Sequence, residues 1–273
     1  MAQEKDSIKQ HKSPVKYVQA LRGGTAHVIL FDDGKEYVVK WHGTNKKRGK
    51  EVVNEYIIGK LAQLLSLPVI PFDLVYIPQE FIKETPELHS KKFNYSSGYQ
   101  YGCIFIENCL VFEDVRQNPP TKTDVENRDM LAGIMVFDQW VNNTDRGTMN
   151  VILEPLSDDT YYVHMIDHGR CFPGRYQWSA ETLKENPVYN FHWPFYHWTY
   201  SLLHDHDELR VFMEKIINLP NESIYEVINS IPAEWNVSTE DKNALYEFLL
   251  KQKSNLPDIV NSIIHYHSNH QEI

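Results

Sequence analysis

A chain of 273 residues, 42% hydrophobic and 12% aromatic, can bury a sizeable core as one large domain or two lobes. Its formal net charge of −10 argues against a broad nucleic-acid surface, which needs many Lys and Arg on one face. No run approaches the roughly 18 apolar residues of a membrane helix, and the polar opening "MAQEKDSIKQHKS" has no signal-peptide core.

The expectation is therefore a soluble, cytoplasmic protein. Cys103, Cys109 and Cys171 are too few for a disulfide framework and lack the C-x-x-C spacing of a zinc site, so they read as buried free thiols.

Residues 17–41 read as a strand, a Gly-Gly junction, the strand "AHVILF", the turn "DDGK" and the strand "EYVVKW". Asp-Gly between β-branched runs signals a hairpin. The basic run "NKKRGK" reads as a solvated loop, and "EVVNEYIIGKLAQLLSL" then repeats apolar residues at helical spacing until Pro68 stops it. "FDLVYIP" and "YQYGCIFI" are two further strands, and the polar insert between them, "KETPELHSKKFNYSSG", reads as a mobile surface loop.

After the Pro-containing link "ENCLVFEDVRQNPPTKT" a helix is expected over residues 124–141. A capping box of Thr123 and Glu126 opens it, and Leu131, Ile134, Met135 and Val141 form its buried stripe. Two strands, "NVILE" and "YYVHMID", flank the turn "PLSDD"; the aromatic segment "FHWPFYHWTY" and helical patterns near 208–219, 223–231, 239–252 and 257–267 complete the chain. The reading is α+β: a strand-rich lobe with one helix over residues 1–106, then a mainly helical lobe holding a hairpin over 107–273.

Chemistry concentrates in two segments. "NNTDRGTMN" sets Asp145 and Asn150 at D-x-x-x-x-N spacing between a helix and a strand, and "HMIDHGR" ends the next strand at Asp167, two residues before Gly169. Alone, the first is an ordinary helix cap and turn, and the second an ordinary strand end. A hairpin between them would bring Asp145, Asn150 and Asp167 to one place. A hard cation such as Mg²⁺ takes oxygen ligands, so an Asn amide and a carboxylate suit it, while a separate carboxylate is left to accept a hydroxyl proton. That division of labour is the protein-kinase arrangement.

The first lobe should then supply a phosphate loop, a Lys and a Glu. Gly23 and Gly24 in "LRGGTAHVIL" could lie over phosphates, although a plain hairpin turn explains them equally. Lys40 ends the third strand, where an exposed strand Lys is the ordinary alternative. Glu55 lies in the helix that follows and could pair with Lys40, with Glu51 a weaker competitor. The His-rich segments "LLHDHDE" and "IIHYHSNH" lack H-E-x-x-H, and the aromatic segment fits a hydrophobic seam better than a ligand platform.

The segments "YVVKW", "NEYIIGKLAQLLSLPVIP", "FDQWVNNTDRGTMNVIL" and "MIDHG", in this order, resemble the HipA-like kinases of the protein-kinase-like superfamily. The resemblance implies a two-lobed protein-kinase-like fold with ATP between the lobes and Mg²⁺ as cofactor. Asp145 would be the catalytic base and Asn150 and Asp167 the metal ligands. The ATP-binding set would be Gly23, Gly24, Thr25, Lys40, its partner Glu55, and a hinge of Ile106, Glu107 and Asn108. The phosphate loop "RGGTAHV" has no Ser, so the self-inactivation of HipA toxins is not expected here, nor is their extra N-terminal subdomain. The function implied is ATP- and Mg²⁺-dependent transfer of a phosphoryl group to a hydroxyl, of Ser or Thr in a protein partner. A small-molecule kinase of the aminoglycoside or choline type, a nucleotide-binding pseudokinase and a metal-binding protein are the competitors.

Overall fold

Alternating inward Val, Ile and aromatic side chains build the first sheet: β1 (Pro14–Ala20), β2 (Ala26–Phe31) and β3 (Glu36–Lys40) in a computed structural model that describes residues 12–21 and 25–270. The β2–β3 hairpin turns at Gly34, whose φ of 77° lies where an L side chain is strained, and its register pairs Ala26 with Lys40. From β3 the chain departs to form α1 (Glu51–Leu64), then returns as β4 (Phe72–Ile77), α2 (Gln79–Glu84) and β5 (Gly98–Ile104). The strands pair antiparallel in the order β1-β2-β3-β5-β4.

The contacts divide the chain into two compact units, residues 1–45 with 72–105 and residues 46–71 with 106–273. Helix α1, which the sequence reading grouped with the strands, packs in the second unit.

The first unit's core joins Ile29, Phe31, Tyr37, Val39, Trp41, Val75 and Ile77 to Ile82, Leu88 and Tyr95. The last two correct the reading of the polar insert as a mobile loop. Leu88 and Tyr95 are buried, and the Tyr95 hydroxyl and His27 Nε2 share a hydrogen bond at 2.8 Å. The insert's polar letters hide two apolar anchors at wide spacing, which no period-based reading detects.

In the second unit β6 (Leu110–Val111) leads into α3 (Phe112–Val115), α4 (Leu131–Trp140) and the hairpin of β7 (Val151–Pro155) and β8 (Tyr161–Met165), in sheet order β6-β7-β8. Helix α4 begins later than expected, after a 3-10 turn at Arg128–Met130, because the preceding backbone is engaged elsewhere. Glu126 N–H donates to the Tyr161 carbonyl, Tyr161 N–H to the Asp124 carbonyl, and the Asn127 side chain bonds both backbone groups of Val163. The Thr123 hydroxyl is drawn into the Thr121–Asp124 turn, so no capping box forms.

Four helices close the unit: α5 (Pro194–Leu202), α6 (Asp207–Ile217), α7 (Asn221–Asn229) and α8 (Thr239–Asn269). The last runs through Pro257, where two helices were expected. Helix α4 is the centre of this packing: all ten of its residues are buried, and Trp140 Nε1 donates to the Leu249 carbonyl of α8 at 3.0 Å. None of the three cysteines forms a disulfide; Cys171 is buried and Cys103 and Cys109 are half-buried. Among the described residues no helix is long and apolar enough to cross a membrane.

Candidate functional site

The β7–β8 register aligns Val151 with Met165, so the residues just beyond each strand, Asn150 and Ile166, meet at the open end of the hairpin. Ile166 N–H donates to the Asn150 carbonyl at 3.0 Å, which places Asp167 one residue past that bond. Asp167 has a φ of 55°, a left-handed conformation that turns the chain sharply out of β8. Asp145 belongs to the same cluster, since its carbonyl accepts from Asn150 Nδ2.

What holds these residues is a buried ion pair that the sequence reading did not name. Asp138 on α4 and Arg146, both fully buried, meet side by side: Nε donates to Oδ2 at 2.8 Å and Nη2 to Oδ1 at 3.0 Å. Arg146 Nη1 then donates to the carbonyls of Asn150 at 2.7 Å and Ile166 at 2.9 Å, tying the loop to the end of β8. Asp138 also accepts from the Tyr196 hydroxyl at 2.8 Å and from Asn143 Nδ2 at 2.8 Å, while Asn143 Oδ1 accepts from Asp145 N–H at 2.9 Å. Burial disfavours the Arg146 charge, but the Asp138 carboxylate outweighs it and raises the pKa. The signal available in sequence was an Asp inside the apolar helix stretch "GIMVFDQW", since a buried carboxylate needs partners.

Asn150 Nδ2 donates to the Asp145 carbonyl at 2.5 Å. With its amide nitrogen so fixed, the Asn150 Oδ1 is the atom left for a ligand. An amide oxygen and a carboxylate are the kinds of donor that a hard cation such as Mg²⁺ takes. The Asp145 pKa is raised, first by burial and then by the Asp167 charge, against the lowering effect of Arg170 and Arg146. Arg170 Nη1 reaches Asp145 Oδ1 at 3.2 Å. A carboxylate of raised basicity at the edge of the loop can accept a proton.

Helix α1 braces the segment after Asp167. Asn54, fully buried, donates through Nδ2 to the Gly169 carbonyl at 2.7 Å and the Arg175 carbonyl at 3.2 Å, and accepts from Trp178 Nε1 at 2.6 Å. Gly169 leaves no room for a side chain, since a Cβ there would lie 2.9 Å from the Tyr176 ring and 3.0 Å from Glu51. Glu55 is buried one residue along α1, its Oε2 3.5 Å from His168 Nδ1.

The remaining candidates lie elsewhere. Lys40 and Thr25 belong to the first unit; Lys40 is half-buried at the end of β3, paired in register with Ala26 and Tyr101. Gly23 and Gly24 fall outside the described residues. Ile106, Glu107 and Asn108 begin the second segment of the second unit, with a turn at Glu107 and Asn108, the latter at a φ of 58°. The aromatic segment is a packing element: Phe195 and Trp198 lie against Phe112, and Tyr196 supports Asp138. Of the histidines near the chain's end, His267 is buried and stacks on Tyr200 at 4.6 Å between ring centroids.

Among solved structures, this chain is similar to the Helicobacter pylori proinflammatory kinase CtkA. Identity is 13% and the TM-score 0.59, over 94% of this chain and 97% of that one. It is also similar to the Golgi casein kinase, at 14% identity and a TM-score of 0.53, over 92% of this chain and 74% of that one. These likenesses define the fold as that of the protein kinases, an antiparallel sheet followed by a mainly helical region. The HipA-like kinase family model matches residues 23–261, and the chain belongs to that family. No curated protein matches it in sequence. Its activity class is accordingly phosphotransfer.

Proposed function

We propose that this kinase uses Mg-ATP and transfers the γ-phosphoryl group to the hydroxyl of a Ser or Thr in a protein. The observation that carries the reading is the clamped loop: Arg146 bonds the Asn150 and Ile166 carbonyls, and Asn150 Nδ2 bonds the Asp145 carbonyl, so three oxygen-bearing side chains occupy the end of one hairpin. Asp145 accepts the acceptor's hydroxyl proton, and Asn150 and Asp167 hold magnesium, which when bound neutralises phosphate oxygens. Lys40 contacts the phosphates. Gly23, Gly24 and Thr25 lie along the phosphates, and the backbone of Ile106, Glu107 and Asn108 takes the adenine. Positioning and charge neutralisation supply the rate, since phosphoryl transfer asks little covalent chemistry of the protein.

Two substitutions test these roles. Asp145→Asn is expected to lower transfer from labelled ATP by a factor of roughly 10²–10⁴ while nucleotide binding persists, and Asp167→Ala to abolish Mg-dependent binding of ADP. Full turnover in Asp145→Asn removes it from the role of base.

A small hydroxyl acceptor is the second reading. It draws on a cleft of about 300 Å³ beside the loop, lined by Asn142, Thr144, Arg175, Glu185, Asn186 and Asn190 among others. Labelled ATP offered with a protein extract and, separately, with amino sugars and amino alcohols distinguishes the two.

A further inference from the structure

We infer that Arg170 is a further catalytic residue, whose guanidinium neutralises the phosphoryl group during transfer; the inference rests on the phosphotransfer reading above. Arg170 is held beside the loop through its backbone, since its carbonyl accepts from Thr144 N–H at 3.5 Å and from the Thr144 hydroxyl at 3.2 Å. From that anchor Nη1 reaches Asp145 Oδ1 at 3.2 Å. A guanidinium carries five N–H donors. This is the side chain's only hydrogen bond among the described residues, and Nε is buried with no acceptor.

The contrast with Arg146 is informative. Arg146 is sealed at 0% exposure with its nitrogens bound to Asp138 and two carbonyls, whereas the Arg170 side chain is 34% exposed and its partner Asp145 28%. One arginine is built into the loop, and the other stands at the loop's open face with most of its donors unengaged.

The chemistry says what such a group meets. A lone pair on the acceptor hydroxyl oxygen forms the new bond to the γ-phosphorus, and the bond to the β,γ-bridging oxygen breaks with its electron pair leaving on ADP. The hydroxyl proton passes to Asp145, and Arg170 keeps its own protons throughout. The acceptor oxygen must come within about 2.6–3.2 Å of an Asp145 carboxylate oxygen. Arg170 Nη1 already lies 3.2 Å from one of those oxygens, so the guanidinium borders the place where the phosphoryl group changes hands. Charge in that transition state spreads over three equatorial oxygens, and a planar fork of donors matches two of them. An arginine supplied from within the same chain or by a partner to this end accelerates transfer by roughly 10³–10⁵.

The test compares binding of Mg-ADP alone with binding of Mg-ADP plus aluminium fluoride, a mimic of the phosphoryl group in transfer, by calorimetry on the wild type, Arg170→Ala and Arg170→Lys. The expected result is equal Mg-ADP affinity in all three. Fluoroaluminate should tighten the wild-type complex, and Arg170→Ala should lose that gain by at least about 100-fold. Arg170→Lys should keep part of it, and free guanidinium should restore turnover to Arg170→Ala. Retention of the full gain in Arg170→Ala overturns the inference, and so does faster turnover in that variant, which would make Arg170 a restraint on Asp145. A wild type that binds Mg-ADP but gains nothing from fluoroaluminate also overturns it while leaving the nucleotide reading in place. A wild type that binds no Mg-ADP overturns both.

Discussion

At the scale of single residues, the contacts of Asp138 decide where the loop sits. Removing one member of a buried ion pair leaves the other uncompensated and costs roughly 3–5 kcal/mol. Asp138→Ala is therefore expected to lower the urea midpoint sharply, since Arg146, Tyr196 and Asn143 all lose their shared acceptor. Tyr196→Phe removes one hydrogen bond to a charged group, a loss of roughly 1.5–3 kcal/mol. A midpoint unchanged in both variants would contradict the network. The closeness of Asp145, Asn150 and Asp167 was legible because their spacing is local and the hairpin between them has a turn signal. Tyr196 was not, because it meets Asp138 across 58 positions of sequence and nothing in "FHWPFYHWTY" distinguishes a hydroxyl with a buried task from one at the surface.

At the scale of elements, the close approach of α4 and α6 depends on Gly133. A Cβ there would come within 2.5 Å of the Phe212 ring and 2.6 Å of Leu67 Cδ2. Gly→Ala within a helix ordinarily adds up to about 1 kcal/mol of stability, but overpacking a tight core costs roughly 1–3 kcal/mol. The steric effect wins, and Gly133→Ala is expected to be less stable than the wild type by differential scanning calorimetry; a raised melting temperature would mean that α6 yields. Elements with a strong period, the first three strands and α1, were readable from pattern alone. The start of α4 was misplaced because Asp124, Val125 and Asn127 engage the edge of β8, a preference that only tertiary pairing creates. The merger of two expected helices into α8 has a similar cause: burial of Leu256, Ile259, Val260 and Ile263 keeps the helix going beyond a proline that would end an isolated one.

At the scale of the whole molecule, each compact unit contains a histidine that burial keeps neutral. His27 in the first unit and His267 in the second are both lowered from 6.5 to about 4, by burial first and, for His267, by the neighbouring His197 and His270. The unfolded chain binds these protons more readily than the folded one between those values, so stability is complete above about pH 6.5 and falls as pH drops toward 4. At about 1.4 kcal/mol per tenfold change in proton affinity, each histidine contributes a loss on the order of 3 kcal/mol by pH 4. Urea midpoints measured from pH 7.5 to 4.5 should decline, and His27→Gln should flatten the slope; equal slopes in the two proteins would show that His27 titrates freely when folded. The grouping of α1 with the second unit was hidden from sequence because chain order is not contact order: the helix leaves one sheet's run of strands, and its Asn54 serves a segment 115 positions away.

The sealing of Arg146 has a regulatory consequence. Kinases switched by phosphorylation of a mobile segment use a free arginine as the landing point for the new phosphate. Here the arginine next to Asp145 has no exposed surface and no uncommitted nitrogen, because its charge balances an aspartate inside the helical core. A phosphorylated side chain cannot dock on Arg146. This arginine is committed when the chain folds and cannot serve as an on-switch afterwards.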